Sequence, residues 1–171
     1  TLALMAAKKV TFTPTLTVYD FDWKRAMVQT AGDDSRLRLM VIPEVLSGLV
    51  DPKGFFQTFM NDTDVMQGLS RGFLTGLSSV LSASRAGVTI IAGSDAGNPA
   101  TFHGPGLIHE LELLAQAGLP LSEVLLAATS RPANRLGQRT LGRIERGSVA
   151  DLVVLGEESV RVVELGAFGN V

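Results

Sequence analysis

One alternation constrains this chain more than any other feature: two β-rich stretches separated by a long helical region. Val10–Tyr19, "VTFTPTLTVY", is dense in β-branched and aromatic residues and predicts a strand. Pro14 inside it cannot donate to a ladder, so it points to an edge, a bulge or a strand end. Val88–Ser94, "VTIIAGS", is an apolar run that predicts a second, buried strand. Before it, Met66, Leu69, Phe73, Leu77 and Val80 recur at spacings of three and four, which predicts an amphipathic helix over Thr63–Ala86. Gly87 follows, where a cap glycine belongs. Strand, helical region and strand in this order form the βα alternation of a parallel sheet.

The flanks are also helical. Leu2–Ala7 reads as the end of a helix, with Lys8 and Lys9 at its negative pole. Asp20–Asn61 reads as helical pieces interrupted at Gly32 and Pro43, with a turn at "VDPKGFF". A long connection of this kind often covers a site as a lid. Leu107–Ala117 repeats the helical period and stops at Gly118. "LSEVLLAATS" predicts a further helix, and "RPANRLG" a short one with Thr129 as N-cap and Pro132 in its first turn. Gly147 marks a turn into Ala150–Leu155, "ADLVVL", expected to be a strand, and Val160–Leu165 is a candidate for another.

Composition narrows the functions. Of the 171 residues, 46% are hydrophobic, enough for a sizeable core and too many for disorder. The net charge is −2 and the basic residues are scattered, so no nucleic-acid footprint is expected. The chain has no cysteine, which excludes disulfides, thiolate catalysis and Cys-based zinc sites and leaves cytoplasm and periplasm both open. No stretch reads as a membrane span. "TLALMAAKK" does not read as a signal peptide, because its lysines follow the apolar residues. The chain opens on Thr1 in mid-pattern, which reads as a polypeptide that began earlier.

Candidate chemistry clusters after Val88–Ala92: Ser94, Asp95, Asn98, Thr101, His103, His109 and Glu110. In βα folds the C-terminal strand ends carry the site, and Asp95 stands at such an end. The alternative is an Asx-turn acid that bonds its own backbone. His103 sits between loop residues in "TFHGPG" and is either substrate-facing or a plain surface histidine. His109 is expected to cap or pack, and Glu110 and Glu112 to form a solvated helix face. Gly93–Gly97 followed by Gly104 and Gly106 hint at a phosphate loop, but no G-K-[ST] follows, and a phosphate- or nucleotide-binding domain rests on those glycines alone. "GSDAG" is not a G-x-S-x-G nucleophile elbow, and no dinucleotide fingerprint is present.

Taken together, "AGVTIIAGSDAGNP", "FHGPGLIHELELLAQAGLPLSEVLLAATSRPANRLG" and "LGRIERGSVADLVVL" resemble the C-terminal part of the metal-dependent amidohydrolases, in the imidazolonepropionase-like and Xaa-Pro or Xaa-Arg dipeptidase-like branch. The resemblance is close over Gly87–Leu155 and looser at "VTFTPTLTVY". It implies an α/β fold: the last part of a (β/α)8 TIM barrel, about two strands with their helices, plus a piece of a small β-sandwich domain. Residues 1–145 would be barrel, with a lid-like helical insertion at 20–61, and 146–171 sandwich.

The resemblance also implies hydrolysis of carbon–nitrogen bonds in a small-molecule or dipeptide substrate, with a divalent metal, zinc by expectation, as cofactor. By match to "GSDAG", Asp95 is the aspartate that ends the eighth strand, contacts the metal and shuttles a proton from the metal-bound water. His103, Asn98 and Tyr19 are candidate substrate-facing residues. Asp151 and Gly147 would shape the turn between domains.

The family's H-x-H pair, its mid-barrel lysine or glutamate and its strand-end histidines are absent; both histidines lie downstream of Asp95. A complete barrel takes about 250 residues. The chain is therefore expected to be part of an enzyme, inactive alone, and to associate with itself or with a missing N-terminal portion. A non-catalytic α/β domain that associates through exposed apolar faces is the alternative.

Overall fold

The computed structural model describes residues 1–31, 33 and 35–154. Helix α1 spans Leu2–Ala7 and leads into strand β1, Thr11–Phe12. A single 3-10 turn follows at Leu16–Val18. Helices α2 (Phe21–Thr30), α3 (Ser35–Met40), α4 (Pro43–Val50), α5 (Phe55–Met60) and α6 (Thr63–Arg85) come next. Strand β2 is Thr89–Ile90, and α7 (Pro105–Gln116), α8 (Leu121–Ala128) and α9 (Ser130–Arg135) complete the order. No helix among the described residues is long and apolar enough to cross a membrane.

The strands pair in parallel, Thr11 with Thr89 and Phe12 with Ile90, as the βα alternation predicts. They are much shorter than expected. Pro14 supplies no amide, and Thr15 turns left-handed at φ 51°, so β1 ends well before Tyr19. The amides of Leu16 and Thr17 then donate to a side chain of α7 instead of to a strand. On the other strand Ile91 N–H donates to Phe12, but Ala92 N–H already donates to Ala127. Beyond the ladder the chains still run close: a Cβ on Gly93 would meet Thr13 Cγ2 at 2.8 Å.

Helix α6 is the spine. Asp62 caps it, accepting from the amides of Asp64 and Val65 at 3.1 Å each. It ends at Arg85 and reverses through Gly87 at φ 79°. Its apolar stripe touches two cores. Phe73, Leu77, Val80 and Ala83 join Leu16, Val88, Ile90, Leu113, Leu114 and Val124 around the strands. Met66 packs on a second core built by α2–α5, with Val28, Leu37, Leu49, Phe56 and Met60. Ala100 and Phe102, from the loop after β2, are buried in this second core. The helical region 20–61 is thus anchored on the same loop that carries Asp95.

Three expectations are corrected. Thr129 does not cap α9: its hydroxyl donates back to Leu125 carbonyl oxygen at 2.6 Å, within the preceding helix. Glu110 is no solvated face residue but is fully buried. Ala150–Val154 forms no strand; Leu152, Val153 and Val154 are exposed, and no strand among the described residues pairs with them. Gly147 does turn the chain, at φ 88°. Leu155 and the stretch 160–165 lie outside the described residues.

Candidate functional site

The strand ends and the loop after β2 hold the candidate site. Asp95 is exposed and sits in the left-handed region at φ 50°, a conformation aspartate tolerates better than most residues. The loop is shaped by its backbone and by Asn98. Asn98 N–H and Nδ2 both donate to the Asp95 carbonyl oxygen, at 3.4 and 3.0 Å, and Gly97 N–H donates to Thr101 carbonyl oxygen. The Asp95 carboxylate accepts no hydrogen bond among the described residues, so the Asx-turn alternative finds no support in the geometry. Asn98 spends its amide on the turn.

A buried cation is electrostatically coupled to this carboxylate. Lys24, on α2, is almost wholly buried, with Nζ 4.9 Å from the Phe21 ring centroid. Burial pulls its pKa down to about 8, and the carboxylates of Asp20 and Asp95 counter part of that drop. No sequence signal singled out Lys24, because a lysine in an amphipathic helix reads as surface.

Helix α7 grips the β1–α2 connection with consecutive residues. The Glu110 carboxylate accepts from Leu16 N–H at 3.0 Å, Thr17 N–H at 2.8 Å and Thr17 Oγ1 at 2.9 Å. Burial pushes its carboxyl up, and these bonds hold back part of the rise. Thr17 Oγ1 also lies 3.1 Å from the Gly106 carbonyl oxygen, and Gly106 packs against Ser94 and Thr101. Next along α7, His109 reaches Asp20 with Nε2 at 2.8 Å and Glu112 with Nδ1 at 3.0 Å. Trp23 stacks on its ring at 4.4 Å. His109 packs, as expected, and is also ion-paired.

Of the four candidate residues, Asp95 and Asn98 share one turn, and His103 and Tyr19 do not bond to them among the described residues. His103 is exposed and makes no hydrogen bond among the described residues. Tyr19 lines a cavity of about 200 Å³ with Asp20, Asp22, Arg25, Met66, Ser70 and Phe73, which Asp95, Asn98 and His103 do not line. No group of three His, Asp or Glu side chains among the described residues could hold a metal. A catalytic zinc takes about three protein ligands and a water, so the donor set described here does not fit one by itself.

Among known proteins, no curated sequence and no solved structure matches the chain. The model of the amidohydrolase family does match, over residues 3–166, well beyond the stretch Gly87–Leu155 where the resemblance is close. By that match the chain belongs to the amidohydrolase family, whose members are hydrolases and generally metal-dependent.

Proposed function

We propose that the chain is the last part of a barrel hydrolase that cleaves carbon–nitrogen bonds of amide or dipeptide-like substrates. In this reading Asp95 is the residue of the chain that faces the metal, and the other ligands come from barrel strands beyond the two seen here. Zinc is the metal proposed. The observation that carries the reading is the state of Asp95: an exposed carboxylate at a parallel strand end, unspent on its own loop. The sheet supports it. Parallel sheets are covered on both faces, yet Thr89 on β2 is exposed while Val88 and Ile90 are buried. His103, Asn98 and Tyr19 are the proposed substrate-facing residues: His103 from the exposed loop, Asn98 through its Oδ1, its amide N–H being used in the turn, and Tyr19 from its own cavity.

The purified chain with added zinc is expected to give a small rise in melting temperature and no turnover of a panel of dipeptides and cyclic amides. Full hydrolysis by the chain alone would overturn the reading that it works with further strands.

A second reading rests on the surface. Leu39, Ile42 and Phe55 are exposed on α3, the α3–α4 link and α5, and Leu152–Val154 are exposed as well. We propose that these faces bury themselves against a second copy or against the rest of the barrel. Size-exclusion chromatography with light scattering should report a species larger than one chain; a clean monomer at micromolar concentration would contradict self-association.

A further inference from the structure

The connection from β1 to α2 is held at both ends by neighbouring side chains of α7. Glu110 holds its start, at Leu16 and Thr17, from a fully buried position. His109 holds its end, at Asp20. The two attachments differ in kind. Glu110 needs only to stay ionised. His109 touches carboxylates with both ring nitrogens, Asp20 at 2.8 Å and Glu112 at 3.0 Å, and its side chain is 11% exposed. A neutral imidazole has one N–H and one lone pair. Between two carboxylates it would donate to one and turn its lone pair on the other. Only the imidazolium donates to both.

We propose that His109 is a pH-sensitive latch: as an imidazolium it bonds Asp20 and Glu112 together and docks the start of α2 on α7, and on losing a proton it keeps one N–H for two carboxylates and no charge, so its hold on Asp20 weakens and α2 loosens. The helix itself would survive release, because Asp20 Oδ1 accepts from Trp23 N–H at 3.1 Å whatever the state of the histidine. The docking is what changes.

The charges at the junction favour the latched form. Asp20 and Lys24 stand on the α2 side, Glu110 and Glu112 on α7. The carboxylates that act on the ring are Asp20, Glu112 and Glu110; Lys24 acts on Asp20, and Asp22 and Arg25 are the further charged groups beside Asp20. Burial alone would push the His109 pKa down, but the bonds and charges of Asp20 and Glu112 overcome it and hold it above the ordinary 6.5. Burial likewise pushes Asp20 up, but the bonds from His109 and the Trp23 amide win and hold it below 3.8. A folded pKa raised above the unfolded one gives stability that is complete below 6.5 and lost as pH rises through the raised value.

Trp23 is the single tryptophan of the chain and stacks on this ring, so it reports the latch directly. Its fluorescence, followed from about pH 5 to about pH 9, should brighten in one transition with a midpoint above 6.5. Glu112→Gln, at an exposed position, should move that midpoint down, and His109→Gln should abolish the transition. Above the midpoint, amide exchange over Phe21–Thr30, corrected for its intrinsic pH dependence, should be about tenfold faster, the loss expected when a charge-assisted bond becomes a neutral one. The Leu16 and Thr17 amides held by Glu110 should not change. A midpoint at or below 6.5, one unmoved by Glu112→Gln, a transition that survives His109→Gln, or unchanged exchange in α2 would each overturn the proposal.

Discussion

At Glu110 a single carboxylate replaces the ladder that β1 abandons. The amides of Leu16 and Thr17 are buried where no strand pairs with them, and a buried amide without an acceptor is costly. Glu110→Gln keeps the size of the side chain but points an NH2 group at one of these donors. It should lower unfolding stability by about 1–3 kcal/mol for each donor left without an acceptor, measured by urea denaturation. An unchanged midpoint would mean that the bonds to Glu110 contribute nothing net. Asp95 differs from Glu110 in the same terms: one carboxylate is consumed by the fold, the other is left over.

At the scale of elements, two cores meet on the loop after β2. Phe102 belongs to the core of α2–α5, seven residues after Asp95. Phe102→Ala should cost about 3–5 kcal/mol in stability. Hydrogen exchange should show the protection of α2, α4 and α5 falling together, with α8 spared; uniform loss would contradict two separable cores. Helices α6 and α7 were legible in the sequence because they carry their own signals, an apolar stripe in α6 and stop glycines at Gly87 and Gly118, whereas α2–α5 were legible only as a broken helical region: Pro43 read as an interruption but opens α4, and Phe55, inside the expected turn, opens α5. The strands were legible as positions but not as lengths. Val10–Tyr19 has strand composition throughout, yet the turn at Thr15 and the reach of Glu110 decide where β1 ends, and both are tertiary facts. Thr129 fails as a cap for a local reason: its hydroxyl finds the carbonyl of Leu125 first.

For the whole molecule, the family is written in ordered motifs, and the match over residues 3–166 agrees with them. The site was legible only in part. Asp95 stands out in sequence because a lone acid ends an apolar run. Lys24, Asp20 and His109 do not, because their meeting depends on how α2 lies against α7. The described residues offer no complete metal site, and one face of the two-stranded sheet stays open at Thr89.

The role of Asp95 is best tested by isothermal titration of the purified chain with zinc, beside Asp95→Asn. Asparagine also tolerates the left-handed backbone at this position, so the substitution removes charge and leaves the loop in place. The account predicts weak binding by the wild-type chain, with the Asp95→Asn affinity lower by about tenfold or more, since losing a direct ligand costs at least what losing one of its outer-shell partners does. Equal binding by the two proteins would contradict it.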